Sequence, residues 1–394
     1  MATLDLILAG DLVLDEPDPD YWLGGIAPCL RAADVAIGHL EVPHSLRGTE
    51  LDDDVPAPGA DPAHLPAIAR AGFRAVSLAG NHIADLGAEG IADTIAGLDE
   101  AGLAHAGAGA TLDAARAAAF LRGTRSSGGA EARHLGGGDT RDNRLAPASK
   151  ERVVALLSYN CVGPQAGWAD ARRAGCAYVR VEATNGAPIA PSSPLERIDP
   201  SSVAEMARNI ASAKERADIV VVALHKGIVH TRAKLAPYER PLAHAAIDAG
   251  CDIVCGHHAH IVRGIEIYRG KPIFHGLGNG CVVTRALSPS QSHPARAAWA
   301  RKRRELFGFE PDPAYSLAPF HPEAVNGMLG RVRVHEDGSL QIGFVPVFVE
   351  PPGRPTIAPP GRAAEVAGYI SRITQEAGLA PLSLELTTDG AWLR

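Results

Sequence analysis

Short apolar runs that end at polar residues recur along this chain. The runs at residues 4–10, 74–79, 218–224 and 252–255 lead into Asp11, Asn81-His82, His225 and His257-His258, respectively. Such runs are typical of buried strands, which places the polar residues at strand ends. Alanine-rich segments with helical periodicity lie between them, at residues 61–72, 88–102, 202–216 and 236–249. Strands that alternate with helices predict a layered α/β fold with its site at the strand ends.

The last third of the chain has a different pattern. Four segments alternate polar and apolar residues without intervening helices, at residues 261–268, 272–276, 329–335 and 340–347. They predict antiparallel strands that complete a second sheet, followed by a helix over residues 362–376. We interpret residues 1–394 as one domain.

Two stretches fit neither strands nor helices. Residues 123–148 are rich in Gly, Ser, Arg and Asp, which predicts a mobile surface insertion. Residues 288–322 are punctuated by proline and are long for a plain connection. A lid or a substrate-binding loop is the hypothesis for this second stretch.

Composition narrows the class of protein. The 394 residues are 46% hydrophobic and 21% charged, which is typical of a globular protein, and the net charge of −7 argues against a nucleic-acid partner. No apolar run reaches the roughly 18 residues of a membrane helix, and no export signal precedes Asp11. Six scattered cysteines without a CxxC pair argue against a disulfide framework. We therefore expect a reduced, cytoplasmic protein with no membrane partner.

Nitrogen and oxygen ligands at five separate strand ends indicate a metal centre. Burying so many polar groups together costs several kcal/mol unless a metal or a tight hydrogen-bond network compensates. His258-Ala259-His260 can direct two imidazoles into one cavity, and His82 can pair with Asp85 three residues later. Mixed imidazole and carboxylate ligands suit Mn, Fe or Zn, whereas Ca or Mg would suit a site dominated by carboxylates and water.

The order of these motifs resembles that of the CapA (poly-gamma-glutamate synthesis) family, a branch of the calcineurin-like metallophosphoesterases. The resemblance covers roughly residues 3–283 and rests on Gly10-Asp11, Leu40-Glu41, residues 80–87 (GNHIADLG), His225-Lys226-Gly227, residues 256–260 (GHHAH) and residues 276–279 (GLGN). It implies a calcineurin-like fold, a two-sheet sandwich flanked by helices, with a metal centre in the loops.

Carried over position by position, the resemblance implies a set of functional residues. The metal ligands would be Asp11, Glu41, Asn81, His225, His258 and His260. His82 would be the acid/base histidine and Asp85 its partner. Val13 stands where ordinary phosphoesterases have a histidine, and Gly80 replaces an Asn. The number of bound cations, one or two, therefore remains open. His39, His230 and His275 are interpreted as structural.

Members of the family that make capsules carry a membrane anchor, and this chain shows none. It is more similar to the CapA-like lasso-peptide epimerases, which invert the α-carbon of the C-terminal residue, expected to be Trp, of a ribosomal precursor peptide. That resemblance favours Ca as the cofactor.

Inversion needs a base on one face of the α-carbon and an acid on the other. We expect His82 with Asp85 and Asp11 with His260 to fill these roles, with His293 as a second candidate partner of Asp11. Lys226 is the candidate for binding the peptide's terminal carboxylate, and His257 and Trp299 are further substrate-binding candidates.

Three other functions remain open at this point. The first is hydrolysis of a phosphate ester by a metallophosphoesterase. The second is a CapA-type role in polyglutamate or capsule synthesis. The third is a non-catalytic module that binds a peptide or polymer.

Overall fold

The computed structural model of the protein describes residues 2–51, 59–123, 152–288 and 290–394. The strands in these residues are β1 Ala2–Leu14, β2 Val35–Leu40, β3 Ala75–Ser77, β4 Ala104–Ala106, β5 Ala108–Gly109, β6 Ala119–Gly123, β7 Arg152–Asn160, β8 Gly175–Cys176, β9 Val181–Ala183, β10 Leu195–Ile198, β11 Ile219–His225, β12 Ile253–His257, β13 Ile265–Tyr268, β14 Lys271–Phe274, β15 Asn279–Val283, β16 Asn326–His335, β17 Leu340–Glu350, β18 Arg354–Ile357, β19 Leu384–Thr387 and β20 Gly390–Leu393. The α-helices are α1 Pro19–Leu23, α2 Ala27–Ala32, α3 Leu65–Ala71, α4 Gly87–Glu100, α5 Leu112–Arg116, α6 Pro200–Lys214, α7 Glu239–Asp248, α8 Pro294–Arg301, α9 Arg303–Phe307 and α10 Pro360–Glu376.

Two large sheets carry the fold. The first has the strand order β19-β20-β17-β16-β1-β2-β3-β4, with β15 also paired to β1 and β18 to β17. The second has the order β13-β14-β12-β11-β7-β6. The strands β1 to β4 are parallel to one another, as are β7, β11 and β12. Parallel strands end at the same edge of a sheet, so residues at their carboxyl ends are brought together.

The alternation of side chains along β1 shows how the layers pack. Leu4, Leu6 and Leu8 belong to the buried cluster between the two sheets, whereas Ile7 and Ala9 belong to the cluster that also contains the flanking helices. Both faces of the strand are therefore buried, since successive side chains point to opposite sides. This arrangement confirms the predicted sandwich of two sheets flanked by helices.

The predicted sheet for the later strands needs correction, and the predicted insertion cannot be compared with the structure. β16 and β17 are antiparallel as predicted, but they extend the first sheet beside β1 instead of completing the second. The register of β1 shows this, because its residues from Ala2 to Leu8 pair with β16 from His335 to Gly330. The predicted insertion at residues 123–148 lies outside the described residues except for Gly123.

All six cysteines are free thiols, and five of them are buried. Among the described residues, no helix combines the length and the apolar character that crossing a bilayer would require.

Gly10 lies where β1 passes very close to the loop before β15. A Cβ atom on Gly10 would lie 1.8 Å from the carbonyl oxygen of Gly278, a rigid backbone atom. Gly10→Ala is therefore expected to lower the free energy of unfolding by about 1–3 kcal/mol, because the strands must separate to admit the methyl group. Denaturant titration measures this effect.

Gly361→Ala in α10 is the matched control, since nothing lies within 4 Å of the added carbon there. We expect it to be neutral or slightly stabilising. Equal stability of Gly10→Ala and wild type would show that this approach of the two segments is looser than described.

Candidate metal centre

Residues at or near strand ends of both sheets meet at one end of the sandwich. In the first sheet, Asp11 is in register with His39, and Glu41 follows β2 directly. Asp11 was predicted to end its strand, but β1 continues to Leu14 after a shift in register between Asp11 and Leu12. In the second sheet, His225 and His257 end two neighbouring strands and are in register with each other. The polar residues that follow the apolar runs in the sequence thus lie together in one cluster of ligand atoms.

Asp11, Glu41 and His260 form a first group of possible ligands, whose nearest ligand atoms all lie within 4.8 Å of one another. His260 Nδ1 lies 3.5 Å from Asp11 Oδ2, and His260 Nε2 lies 3.3 Å from Glu41 Oε1. Apart from this contact of Glu41 with His260, Asp11 Oδ1 and both carboxylate oxygens of Glu41 are buried without a hydrogen-bond partner among the described residues. Such oxygens are costly to bury unless a cation binds them, so this group fits a divalent ion.

The charges in this first group depend on one another. Burial, reinforced by repulsion from Glu41, raises the pKa of Asp11 well above its usual range. Burial opposes ionisation of Glu41 too, but His260 outweighs it and lowers the pKa of Glu41 to about 2. Burial likewise disfavours the charged form of His260, yet Glu41 and Asp11 raise its pKa to about 9. Without a cation, the imidazolium of His260 is therefore the charge that offsets the carboxylates.

Asp11, His39 and His225 form a second group that meets the same distance criterion and shares Asp11 with the first. His39 Nδ1 lies 2.9 Å from Ser77 Oγ, which leaves its buried Nε2 without a partner. His225 Nε2 lies 2.6 Å from Asn81 Oδ1, and its buried Nδ1 likewise has no hydrogen-bond partner among the described residues. In both pairs the neighbouring oxygen orients the ring so that its other nitrogen faces the cluster.

The second group is also suited to a cation by charge and by space. Burial, helped by neighbouring imidazoles, lowers the pKa of His39 and of His225 well below the ordinary value, so both are neutral ligands at pH 7. A Cβ atom on Gly80 would lie only 2.9 Å from His39 Nε2. The glycine that departs from the CapA pattern therefore keeps this space open.

Sequence reasoning missed His39, which it interpreted as structural. The signal was available, because His39 and Glu41 are two residues apart at a strand end and so lie on the same face. Asn279 was given no role of its own within the motif at residues 276–279. Its Oδ1 lies 3.0 Å from His260 Nδ1, so it orients this imidazole.

His82 and Asp85 form a separate acid–base pair beside the cluster. The two side chains are buried, and His82 Nδ1 lies 2.7 Å from Asp85 Oδ2. The pair spans a turn just before α4, in which the Asp85 N–H donates to the His82 carbonyl. A carboxylate on Nδ1 fixes the tautomer and raises the basicity of Nε2, which suits general-base chemistry.

The backbone of the loop after β12 is conformationally unusual. His258 has φ of 90° and His260 has φ of 52°, both in the left-handed region that non-glycine residues rarely adopt. The His258 N–H donates to Asp11 Oδ2 over 3.4 Å, which helps to hold this conformation. Backbone strain of this kind clusters at functional sites, where the surrounding structure maintains it.

The cluster forms the floor of a pocket of about 900 Å³. The floor residues that line it are Glu41, Asn81, His82, His258 and His260. One wall is the loop at residues 190–196, which sequence reasoning did not single out. The other comes from residues 299–320, including Trp299, so part of the predicted lid segment does border the site. Whether that segment moves remains a prediction.

Six predicted site residues do not line the pocket, namely Asp11, Asp85, His225, Lys226, His257 and His293. Lys226 is fully buried, and its Nζ lies 2.7 Å from Glu239 Oε2, which already compensates its charge. His257 is also buried, and its Nε2 lies 3.3 Å from the Ala9 carbonyl oxygen. His293 is exposed and caps α8, where it accepts a hydrogen bond from the Arg296 N–H, so Asp11 pairs with His260 instead.

The chain matches a described protein family over residues 5–282, a span that contains every residue of the cluster and ends before the wall at residues 299–320. That family is the bacterial capsule synthesis protein PGA_cap.

Individual relatives are consistent with this match. A probable polyglutamine synthesis accessory protein of Mycobacterium tuberculosis is 32% identical over 251 residues, which are 63% of this chain and 55% of the relative. The capsule biosynthesis protein CapA of Bacillus anthracis is 27% identical over 288 residues, or 70% of this chain and 59% of the relative. The chain thus spans a little over half the length of these relatives. Among solved structures, GAP50 of Plasmodium aligns over 99% of each chain with a TM-score of 0.41 and 9% identity, a likeness too distant to bear on function.

Proposed function

This chain belongs to the PGA_cap family of bacterial capsule synthesis proteins, and we propose from that premise that it performs cation-dependent acid–base chemistry on a peptide or polyamide chain. The observation that supports this most directly is the cluster of buried, unpartnered carboxylate and imidazole atoms beside the His82–Asp85 pair. The names of the relatives support a role in making a glutamate-type polymer, and they give no support to a lasso-peptide precursor as the substrate.

The residues that would hold the cation are those of the two ligand groups around Asp11. A divalent ion bound there would supply Lewis-acid polarisation of a carbonyl or carboxylate. The choice between Ca, Mg, Mn, Fe and Zn stays open, because carboxylates and imidazoles both contribute.

The protein's own side chains suggest proton transfer at the α-carbon as the reaction. The imidazole of His82 would take the α-proton, and the electron pair left on carbon would delocalise onto the neighbouring carbonyl oxygen. Return of a proton from the other side, by His260 beside Asp11, would invert the centre. Epimerisation of a chain's terminal residue is thus the specific reaction that we propose for the site.

His260 cannot serve in two roles at once. Its Nδ1 faces Asn279 Oδ1, so Nε2, which lies 3.3 Å from Glu41 Oε1, is the atom that would bind a cation or move a proton. If His260 is the acid, the cation must be held by the carboxylates and the other histidines, directly or through water.

Hydrolysis of a phosphate ester is the second candidate function. The observation that favours it is the sharing of Asp11 by two ligand groups, which is the arrangement of two-metal hydrolytic centres. Val13, which lines the pocket where ordinary phosphoesterases have a histidine, argues against it.

An exchange experiment in heavy water separates these functions. We expect short glutamate oligomers, incubated with cation-loaded protein, to gain one deuterium at one α-carbon, and chelation to stop the gain. Mass spectrometry measures the deuterium, and chiral analysis after hydrolysis measures inversion. An aryl phosphate with Mn is the parallel substrate. Release of phosphate without any deuterium gain would replace our proposal with the second function.

A further inference from the structure

One arginine in the pocket wall at residues 299–320 is buried without an acidic partner. Arg303 is only 3% exposed, and its NH1 group donates to the Pro319 carbonyl. Its Nε and NH2 groups have no hydrogen-bond partner among the described residues. Burial lowers its pKa to about 10, with no contribution from any carboxylate of the described residues, so the side chain remains charged at neutral pH.

Two other buried cationic side chains each have a carboxylate partner. Arg263 is also buried, but its NH1 lies 2.8 Å and 3.0 Å from the two carboxylate oxygens of Glu239. Lys226 pairs with the same carboxylate. Buried cations are normally compensated in this way, because an unpaired charge is costly to remove from water. The unpaired charge of Arg303 therefore indicates that its anionic partner belongs to a bound molecule.

The surroundings of Arg303 suit recognition of an anion. Its guanidinium carbon lies 5.2 Å from the centre of the Trp299 ring and 5.8 Å from that of Phe320. The Phe320 ring lies 4.8 Å from the His260 ring, so only one aromatic side chain separates Arg303 from the candidate metal centre. Aromatic walls exclude water and so strengthen a charge-assisted hydrogen bond.

We propose that Arg303 binds an anionic group of the substrate, a carboxylate or a phosphate, and so places the adjacent bond over the metal centre. Planar guanidinium groups match both anions with two parallel hydrogen bonds. Lys234 and Lys302 line the same pocket and add positive charge. This inference rests on the function proposed above, and it replaces Lys226 as the residue that recognises a substrate carboxylate. Arg303 lies beyond residue 282, where the family match ends, so the match itself does not assign this contact.

Calorimetry with small probes tests the inference without requiring turnover. The probes are triglutamate, its analogue triglutamine amide, which has no carboxylate, and inorganic phosphate, each titrated into cation-loaded protein. Arg303→Met is expected to weaken binding of the anionic probe at least tenfold. Arg303→Lys, which keeps the charge and loses the planar fork, should weaken it several-fold. Loss of triglutamate binding identifies a carboxylate as the natural partner, and loss of phosphate binding identifies a phosphate.

Arg304→Met is the matched control. Arg304 is the next residue of α9, its side chain is 76% exposed, and it pairs with Glu310 over 3.0 Å. Anion affinity should be unchanged in this variant. Cation affinity, measured on every variant, reports whether the site is still folded.

Two results would overturn the inference. The first is unchanged anion binding in Arg303→Met. The second is an equal loss for triglutamate and triglutamine amide, which would make Arg303 a structural anchor between Pro319 and the two aromatic rings. Failure of the proposed function is distinguishable, because the wild type would then bind anions through Arg303 without deuterium exchange.

Discussion

Asp11→Asn should abolish specific binding of a divalent cation. Asp11 belongs to both ligand groups, and its buried Oδ1 has no hydrogen-bond partner among the described residues, so it is suited to bind a cation. An amide lacks the negative charge, so we expect affinity to fall at least 1,000-fold, or about 4 kcal/mol. Elemental analysis of dialysed protein and calorimetric titration measure this loss. Stoichiometric cation in the variant would exclude Asp11 as a ligand.

The same substitution should change stability in the opposite direction when no cation is present. Burial and repulsion from Glu41 both disfavour a carboxylate at Asp11, and an amide removes both costs. Cation-free Asp11→Asn is therefore expected to melt at a higher temperature than the cation-free wild type. Saturating cation should then stabilise only the wild type, by about 2.7 kcal/mol at 100 times its dissociation constant. Asp99→Asn is the control, since this exposed carboxylate lies outside the cluster.

His82→Ala should remove catalysis and leave cation binding intact. General acid–base catalysis contributes roughly 100- to 10,000-fold to rates, and we expect a loss in this range for deuterium exchange. Asp85→Asn should lose less, because His82 keeps its imidazole and loses the carboxylate that orients it. Exchange rates and cation content are measured on the same samples.

The chain contains a natural control for this pair. His105 Nε2 lies 3.1 Å from Asp99 Oδ1 in a more exposed histidine–aspartate pair. His105→Ala should leave exchange unchanged. A full rate in His82→Ala would place the base elsewhere, and loss of cation from that variant would make His82 a ligand instead of a base.

The sequence predicted the architecture well because the pattern that encodes it is local. Apolar runs before Asp11, His225 and His257 are both the cores of parallel strands and the reason that their polar ends meet. The helices over residues 202–216 and 362–376 are observed as Pro200–Lys214 and Pro360–Glu376. The prediction of the sheet to which β16 and β17 belong was wrong, because strand partners are decided by packing at long range.

Individual site residues were harder to predict, since the same residue type serves opposite purposes. Lys226 follows a ligand histidine in sequence, yet a strand residue next to His225 points to the other face, where Glu239 binds it. His39 was interpreted as structural although it lies next to the Leu40-Glu41 motif, and its ring contacts those of His225 and His257. Arg303 lies in the basic run at residues 301–304, which the sequence favours as a solvated helix face over an anion-binding patch, and only the fold reveals that its charge is unpaired.

The two sheets contribute ligands jointly, with Asp11, His39 and Glu41 from one and His225 and His258 from the other. A bound cation would thus act as a cross-link across the sandwich, comparable to a disulfide that joins its two halves at one rim. Removing the cation would reduce the protection of backbone amides against hydrogen exchange mainly at that rim. Amide hydrogen exchange should then quicken first around residues 39–41 and 256–260, with the opposite end of the strands unaffected.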